Sequence, residues 1–454
     1  MLTEADRTME SRPQHTATRR HATYRIFVMN PMEIDLNIQA DTDVDTMALE
    51  EIDVSQPELY RDDTWQPLFA RLRREAPVHY RADSVNGPFW SVSSHKLIKE
   101  VDTNDRVFSS SSDFGGIAIV DPPVVDGEIQ AQSFITMDQP EHMPQRMAVA
   151  PTVAPSNLGE MEALIRARAV DILENLPVGE TFNWVQEVSI ELTARMLATL
   201  FDFPYEERGK LVYWSDLATA LPEVTGDDSI DMKKRYNELM EAAGAFYQLW
   251  MSKAGQPPKF DLISMLQHNE TTAHMNENPE QFLGNLMLLI VGGNDTTRNS
   301  ISGGVMALNQ YPDEYQKLRE NPGLIPNMVS EIIRWQTPVI HMRRTALADY
   351  ELGGQRIRKG DKVVMWYLSG NRDETLFEDP DRLIIDRPNA RAHVAFGFGV
   401  HRCMGNRLAE LQLRVLWEEI MKRFHKIEVV GDVERLPNNF IRGIKDVPVR
   451  LHPI

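Results

Sequence analysis

The only cysteine of the 454-residue chain lies in a glycine-rich loop that leads directly into a helix. Two glycines precede Cys403, by six and four positions, and a third glycine follows it by two. Glycine adopts positive φ and lets other groups approach closely, so such a loop turns back and points amide N–H groups at one sulfur. We expect a helix over 408–424, and its positive N-terminal end favours a thiolate over a thiol. The sequence therefore predicts a sulfur anion presented to a ligand.

Other chemistries of a lone cysteine fit this loop less well. By residue type alone, a lone cysteine is more often a small buried apolar residue than a ligand. A zinc site would need two further ligands besides His401 and Cys403, and no paired-ligand spacing supplies them. A cysteine nucleophile needs a base held by an orienting group, which one sequence cannot test. The loop favours a metal-bound thiolate whose potential is set by donated hydrogen bonds and an apolar surrounding.

The loop resembles the haem-binding loop of the cytochrome P450 family. It matches the family's Phe-Gly-x-Gly-x-His-x-Cys-x-Gly pattern at every fixed position, and the resemblance extends from about Glu51 to the C-terminus. It implies that Cys403 is the metal ligand of haem b, iron protoporphyrin IX. It also implies a mainly α, triangular single-domain fold with small peripheral β-sheets. The implied activity is that of a monooxygenase, which inserts one oxygen atom of O2 into a C–H bond of an apolar substrate.

Composition and periodicity agree with one large helical body. Apolar residues make up 42 % of the chain, and apolar positions recur at helical spacing over most of its length. Short strand-like pieces interrupt this pattern at 78–80, 89–92, 362–366 and 427–430. Residues 1–47 have no periodic apolar face, so we expect a disordered N-terminal extension there and the haem monooxygenase domain over 48–454.

Charge and the distribution of apolar residues restrict the partners. A formal net charge of −19 at pH 7 argues against a nucleic-acid or anionic-membrane surface spread over the whole protein. No run of 18 apolar residues occurs, so we expect neither a membrane span nor a secretory signal. The expected location is the cytoplasm.

A second unusual segment, Gly-Gly-Asn-Asp-Thr-Thr at 292–297, lies inside the helix that we predict over 279–311. Each interior glycine costs about 1 kcal/mol relative to alanine, so another gain must offset it. Small residues open space for a flat ligand, although a kinked core helix explains this segment alone equally well. By the resemblance, Thr296 hydrogen-bonds O2 at the haem and Asp295 relays protons from water, which makes them the expected catalytic pair.

Buried haem carboxylates need cationic or hydrogen-bonding partners. The residues that the resemblance assigns to the haem besides Cys403 are His142, Arg146, Arg344, Phe396 and His401. Each would by itself more often be a surface charge or an ordinary core residue, and only together do they indicate a cofactor cradle.

A buried ion-pair motif is expected next to this cradle. Glu331 and Arg334 have the i to i+3 spacing of a helical ion pair. They resemble the family's Glu-x-x-Arg motif, with Arg387 as its third member. The implied role is structural support of the cysteine loop.

Three longer strings, 291–300, 335–344 and 401–410, resemble the bacterial branch that hydroxylates the terminal carbon of alkanes and fatty acids. We therefore predict that medium-chain n-alkanes or fatty acids are converted to primary alcohols, while a terpenoid or steroid substrate stays open. The expected pocket walls are Leu288, Val291 and Ile340. All three are apolar, as a hydrocarbon requires, but ordinary core packing would suit them too. The segment 204–250 is the candidate lid.

Electrons are expected to come from NAD(P)H through separate proteins, because no Gly-x-Gly-x-x-Gly dinucleotide fingerprint occurs. The resemblance implies a ferredoxin and a ferredoxin reductase, with Arg402 and Arg407 as the docking patch. A peroxygenase or haem isomerase on the same scaffold is disfavoured, since Asp295 and Thr296 suit protonation of bound O2. A non-enzymatic haem sensor would give no reason for that pair.

Overall fold

The computed structural model describes residues 44–121 and 128–454. The predicted N-terminal extension, 1–47, lies outside the described residues apart from its last four. From Val44 onward the chain forms one unit. Arg71 attaches the start of this unit by donating hydrogen bonds to the carbonyl oxygens of Val44 and Met47.

Helices account for most of the described residues. In chain order they are α1 Pro57–Arg61, α2 Gln66–Glu75, α3 His95–Asp102, α4 His142–Val149, α5 Pro155–Glu174, α6 Glu191–Phe201, α7 Gly209–Thr219, α8 Pro222–Thr225, α9 Met232–Lys253, α10 Leu262–His268, α11 Pro279–Gln310, α12 Pro312–Glu320, α13 Ile325–Gln336, α14 Tyr367–Gly370 and α15 Asn406–Arg423. A π-helical turn, Val185–Ile190, leads into α6. The mainly α prediction is confirmed.

The strands form small sheets at the edge of the helical body. They are β1 Val78–Arg81, β2 Phe89–Val92, β3 Phe108–Ser109, β4 Phe182–Asn183, β5 Met342–Ala346, β6 Tyr350–Leu352, β7 Gln355–Ile357, β8 Lys362–Met365, β9 Phe424–Val429, β10 Glu434–Arg435, β11 Ile444–Asp446 and β12 Pro448–Pro453. The largest sheet has the order β1-β2-β8-β5-β3, with β2 and β8 parallel. A three-stranded sheet has the order β4-β12-β9, and the pairs β6-β7 and β10-β11 complete the set.

The helix α11 forms the centre of the fold. It begins where expected because Asn278 caps it, accepting a hydrogen bond from the Gln281 N–H at 3.2 Å, and Pro279 occupies its first turn. Its core positions, such as Ile301 and Leu308, are at most 1 % exposed and belong to the main apolar cluster. The helices α6, α7, α13 and α15 pack around it. This packing holds the middle of α11 opposite the start of α15.

A fully buried ion-pair triad connects α13 to the chain that precedes the cysteine loop. Arg334 donates two hydrogen bonds to the Glu331 carboxylate, at 2.7 and 2.8 Å. Arg387 Nε lies 3.0 Å from Oε1 of the same carboxylate. All three side chains are at most 3 % exposed. The Glu-x-x-Arg pair and its predicted third member thus meet, and they fix the position from which the loop starts.

Candidate active site around Cys403

A cavity of about 460 Å³ separates the middle of α11 from the loop that precedes α15. Cys403 borders the cavity from the loop side, and Gly292 and Thr296 border it from α11. Most of the remaining lining residues are apolar. The only cysteine and the polar segment of α11 are therefore brought to one cavity, although 107 positions of sequence separate Thr296 from Cys403.

The cysteine loop has the backbone that its glycines predicted. Gly397 and Gly399 have φ of 64° and 66°, in the left-handed region. A Cβ on Gly399 would lie 2.2 Å from the backbone oxygen of Asp102. The N–H of Cys403 donates to the carbonyl oxygen of Phe396 at 2.8 Å, which closes the loop. The turn therefore requires glycine at two positions, whereas Gly405 has an ordinary φ of −84° as the N-cap of α15.

Opposing influences act on the Cys403 sulfur, whose exposed surface faces the cavity. Burial within the protein is the largest influence and raises the pKa of the thiol. Hydrogen bonds from the backbone amides of Gly405 and Asn406, and the charges of Arg146 and Arg402, lower that pKa. The start of α15 thus favours the thiolate as predicted but does not outweigh burial. A bound cation would supply the additional positive charge that a thiolate needs here.

Cationic and imidazole groups converge at one side of the cavity. Arg146, Arg344, His142 and His401 all border it, as does Phe396. The ring nitrogens of His142 lie 2.6 Å and 3.1 Å from the carbonyl oxygens of Phe134 and Val400. Its ring centroid is 4.1 Å from that of His401. Burial holds the pKa of His401 far below its usual value, so that ring is neutral.

The residues present fit a haem. Nδ1 of His401 is buried without a hydrogen-bond partner, which suits an additional polar ligand. A Cβ on Gly292 or Gly405 would meet nothing within 4 Å, so both sides of the cavity have open space for a flat group. Among residues 44–121 and 128–454 no three His, Cys, Asp or Glu side chains are placed to hold a metal ion. A metal at Cys403 must therefore bring most of its ligands with it, as porphyrin iron does.

The two members of the expected acid and alcohol pair face different directions. Thr296 borders the cavity, and its hydroxyl donates to the carbonyl oxygen of Gly292 at 3.0 Å. Asp295 does not border the cavity; it is 1 % exposed and its Oδ1 lies 2.9 Å from Nη2 of Arg298. Burial raises the pKa of Asp295 to about 6, against the opposing effect of Arg298. A carboxyl group with this pKa exchanges a proton near neutral pH.

The structure places two of the three expected pocket walls on the cavity. Leu288 and Val291 border it, and Ile340 does not. Ile340 is fully buried in a separate apolar cluster that contains Trp366, and its N–H donates to the carbonyl oxygen of Phe440. Successive residues of an extended segment point to opposite sides, so its neighbour Val339 faces the cavity instead.

Asp102 is a site residue that sequence reasoning missed. It is 3 % exposed and accepts hydrogen bonds from Nη2 of Arg344 at 2.8 Å, the Tyr367 hydroxyl at 2.9 Å and the Phe398 N–H at 2.7 Å. It thereby connects α3 to a haem-side arginine and to the cysteine loop. The one signal in the sequence was weak: an acid on the buried face of a short helix, beside Ile98 and Val101.

The candidate lid, 204–250, contains α7, α8 and most of α9. Ala218 and Thr219, at the end of α7, border the cavity. Within the described residues no helix combines the length and the hydropathy that a membrane span requires.

Comparisons with known proteins point to one family. The model of the Cytochrome P450 family matches residues 150–440. Linalool 8-monooxygenase of Pseudomonas putida is 38 % identical over 417 residues, which cover 89 % of this chain and 100 % of that protein. The structure of Cytochrome P450-153 from Novosphingobium aromaticivorans has 48 % identity and a TM-score of 0.83, covering 88 % of this chain and 99 % of its own. Mycobacterium marinum CYP268A2, solved with pseudoionone, has 30 % identity and a TM-score of 0.79, covering 88 % and 98 %.

Proposed function

Because the chain belongs to the cytochrome P450 family and is a monooxygenase, we propose that it hydroxylates the terminal carbon of medium-chain n-alkanes or fatty acids. The observation that carries the proposal is the shared cavity, where the Cys403 sulfur and the Thr296 hydroxyl face one mainly apolar space. The bound haem supplies the activation of O2 at its iron. The chain's own residues hold the cofactor, move protons and orient the substrate.

The haem would be held from the loop side and along its carboxylates. The Cys403 thiolate would bind the iron, with the amides of Gly405 and Asn406 donating to the sulfur. Arg146, Arg344 and the free Nδ1 of His401 would bind the carboxylates.

Two further residues complete the cradle. His142 supports the loop through the carbonyl oxygen of Val400, and Phe396 would pack against the cofactor. All five expected cradle residues border the same cavity as the cysteine, which is the support for assigning them to one cofactor.

Proton delivery is assigned to Thr296 and Asp295. The Thr296 hydroxyl borders the cavity and donates to the Gly292 carbonyl oxygen, and it would turn from there to donate toward O2. Asp295 would then give a proton back to the Thr296 hydroxyl, because burial keeps the pKa of Asp295 close to neutral pH. Its carboxyl group must rotate away from Arg298 to do so.

Substrate selectivity is assigned to the apolar walls. Leu288, Val291 and Val339 border the same cavity as Thr296 and would remove a hydrocarbon chain from water. Primary C–H bonds are stronger than internal secondary ones, so terminal attack requires a channel that presents only the chain end. The three sequence strings that resemble the terminal hydroxylases support this choice, as does the 48 % identity to Cytochrome P450-153.

A terpenoid is the second candidate substrate. It is favoured by the 38 % identity to linalool 8-monooxygenase and by the structure of CYP268A2 with pseudoionone. Such a substrate needs the same apolar walls and the same proton supply, so the two candidates differ only in the shape that the walls admit.

An optical titration of the purified haem protein, followed by product analysis, tests the proposal. Carbon monoxide on the reduced protein reports thiolate ligation, and the Cys403→Ala variant is its control. Octane, a medium-chain fatty acid and linalool are then compared for the change in haem absorbance that each causes on binding and for the products formed. We expect mainly primary alcohols from octane or the fatty acid. Mainly subterminal alcohols, or conversion of linalool alone, would overturn the terminal alkane assignment.

Electron supply by a ferredoxin and its reductase, with NAD(P)H as the source in the cytoplasm, is part of the proposal. Arg402 and Arg407 are exposed beside the loop, and Met143 and Met147 are exposed on α4. Arg146 of α4 donates to the carbonyl oxygen of Arg402, so α4 lies beside the loop. Exposed basic and apolar residues on neighbouring segments suit an acidic partner. Arg407→Glu should slow ferredoxin-driven turnover at unchanged haem content, whereas the exposed Arg356→Glu should not. Unchanged turnover in Arg407→Glu would refute this patch.

A further inference from the structure

Arg298 lies one helical turn after Asp295 on α11 and connects it to the lid helix α7. Its Nη2 atom lies 2.9 Å from Oδ1 of Asp295 and 2.5 Å from Oδ1 of Asp216 on α7. The side chains of Arg298 and Asp295 are 9 % and 1 % exposed, whereas that of Asp216 is 50 % exposed. One buried nitrogen is therefore shared between an acid on the cavity helix and a solvent-facing acid on the lid.

The second carboxylate oxygen of Asp295 is not committed to a partner. Oδ2 is buried without a hydrogen bond, and the Ser215 hydroxyl on α7, also without a partner, is close enough to the carboxyl group to lower its pKa. Leaving a buried oxygen without a hydrogen bond costs free energy. Rotation of the carboxyl group to a second position that provides a partner is therefore accessible. Oδ1 is held by the ion pair with Arg298 at 2.9 Å and by a longer hydrogen bond, 3.3 Å, from the side-chain amide of Asn294. The ion pair is the charged one of these two contacts.

We propose that Arg298 is a positioning residue for Asp295, and that Asp216 competes for the same guanidinium nitrogen. The position of α7 then governs when Asp295 is free to deliver its proton. With α7 packed on α11, Asp216 weakens the hold of Arg298 on Asp295. When α7 withdraws, Arg298 pairs with Asp295 alone, and Asp295 stays in that ion pair. This inference rests on the proposed function, and it adds a link between lid closure and proton delivery.

The charges around Asp295 are few, which makes the effect of each separable. Within the described residues, the charged groups that act on it are Arg298 on α11 and Asp216 on α7. The π-helical turn and α6 also pack against α11, but their charged residues Glu187, Glu191 and Arg195 are not among the groups that act on Asp295. Thr193 of α6 donates to Oδ1 of Asn294 at 2.8 Å. Arg298 lowers the pKa of Asp295, whereas burial and Asp216 raise it.

An infrared pH titration of the haem protein measures the protonation of Asp295 directly. The carbonyl band of its protonated carboxyl group is assigned by its loss in Asp295→Asn. Arg298→Gln should raise the midpoint by about one unit or more, because an opposite charge at this distance lowers a carboxyl pKa by roughly 1–3 units. Asp216→Asn should lower the midpoint by about half a unit, since Asp216 is half exposed and screened. The midpoint of Arg298→Lys should stay close to that of the parent, because lysine keeps the positive charge.

Asp202→Asn is the matched control for Asp216→Asn. Asp202 is a comparably exposed aspartate, at 56 %, paired at 2.6 Å with Lys253 of α9, and it has no contact with Arg298. Its replacement should leave the midpoint unchanged. Midpoints that move in the same direction in Arg298→Gln and Asp216→Asn, or an Arg298→Lys midpoint equal to that of Arg298→Gln, would overturn the proposal.

Turnover supplies the functional readout. In Asp216→Asn the product formed per NAD(P)H should fall at an unchanged carbon monoxide spectrum, because Arg298 retains Asp295 even with α7 in place. A parent-like yield in a variant with a shifted midpoint would overturn the link to the lid. The infrared midpoints do not depend on the substrate, so failure of the proposed hydroxylation and failure of this inference are distinguishable.

Discussion

Replacing Asp102 by asparagine should loosen the cysteine loop. Its Oδ2 accepts hydrogen bonds from the Phe398 N–H of that loop and from the Tyr367 hydroxyl, and its Oδ1 accepts from Arg344. Asparagine has the same shape but only one acceptor oxygen. If that oxygen keeps the loop contact, the amide NH2 faces the Arg344 guanidinium, and two donors then meet in a site that is 3 % exposed.

The magnitude follows from the buried charge that remains. Removing one member of a buried ion pair costs about 3–5 kcal/mol, because the partner stays charged and unpaired. Burial already raises the pKa of Asp102, so part of the parent's ion-pair stabilisation is offset by desolvation of the carboxylate. A haem carboxylate would also remain available to Arg344. We therefore expect Asp102→Asn to lower the free energy of unfolding by about 3 kcal/mol, the lower end of this range.

Urea unfolding, followed by the haem absorbance and by tryptophan fluorescence, measures this loss. Carbon monoxide spectra of the reduced protein report whether the thiolate remains bound. The matched control is Asp63→Asn, which removes a partner of the buried Arg442 at 2.7 Å and lies outside the loop. We expect both variants to lose stability and only Asp102→Asn to lose thiolate ligation during mild denaturation. Equal spectra in the two variants would refute the role of Asp102 in holding the loop.

Three further predictions concern single residues. Gly399→Ala should lower the free energy of unfolding in urea by at least about 2 kcal/mol, because φ is 66° and the new Cβ would meet the backbone oxygen of Asp102. Gly159→Ala, in open space on α5, is the control and should be neutral or stabilising. Glu331→Gln should cost about 3–5 kcal/mol by the same measurement, since it leaves two buried arginines without their carboxylate. The folded-state pKa of Asp295, about 6, exceeds the unfolded value of about 3.9, so the stabilisation that its protonation gives the folded protein is complete below pH 4 and is lost as pH rises through 6. The free energy of unfolding of Asp295→Asn should therefore rise relative to that of the parent by about 3 kcal/mol between pH 4 and pH 6. A difference between the two proteins that does not change with pH would contradict this.

Local patterns predicted the elements whose ends are set by their own residues. The helix expected over 279–311 runs over Pro279–Gln310, because Asn278 and Pro279 define its start within the sequence itself. The glycines of the cysteine loop likewise showed where positive φ would be needed. In both cases the deciding interactions are a few residues long, so one sequence is enough to recognise them.

Residues whose roles depend on distant partners could not be predicted in this way. The hydrogen-bond partners of Asp102 lie 242, 265 and 296 positions away, and nothing near Asp102 in sequence marks them. Ile340 failed as a pocket wall for a related reason. An extended segment has two sides, and only the packing against Trp366 decides which side faces the cavity.

The acid and alcohol pair shows why adjacent residues need not act from one position. Successive residues on an α-helix differ in direction by about 100°, and here Thr296 borders the cavity whereas Asp295 does not. Packing places the Thr296 side chain at the cavity and directs Asp295 toward α7 and Arg298. A proton that passes from one to the other must therefore wait for the Asp295 side chain to turn. If Asp295 supplies the proton as proposed, the residues that hold its side chain control the reaction as directly as the acid itself, and the contact between Arg298 and Asp216 extends that control to α7.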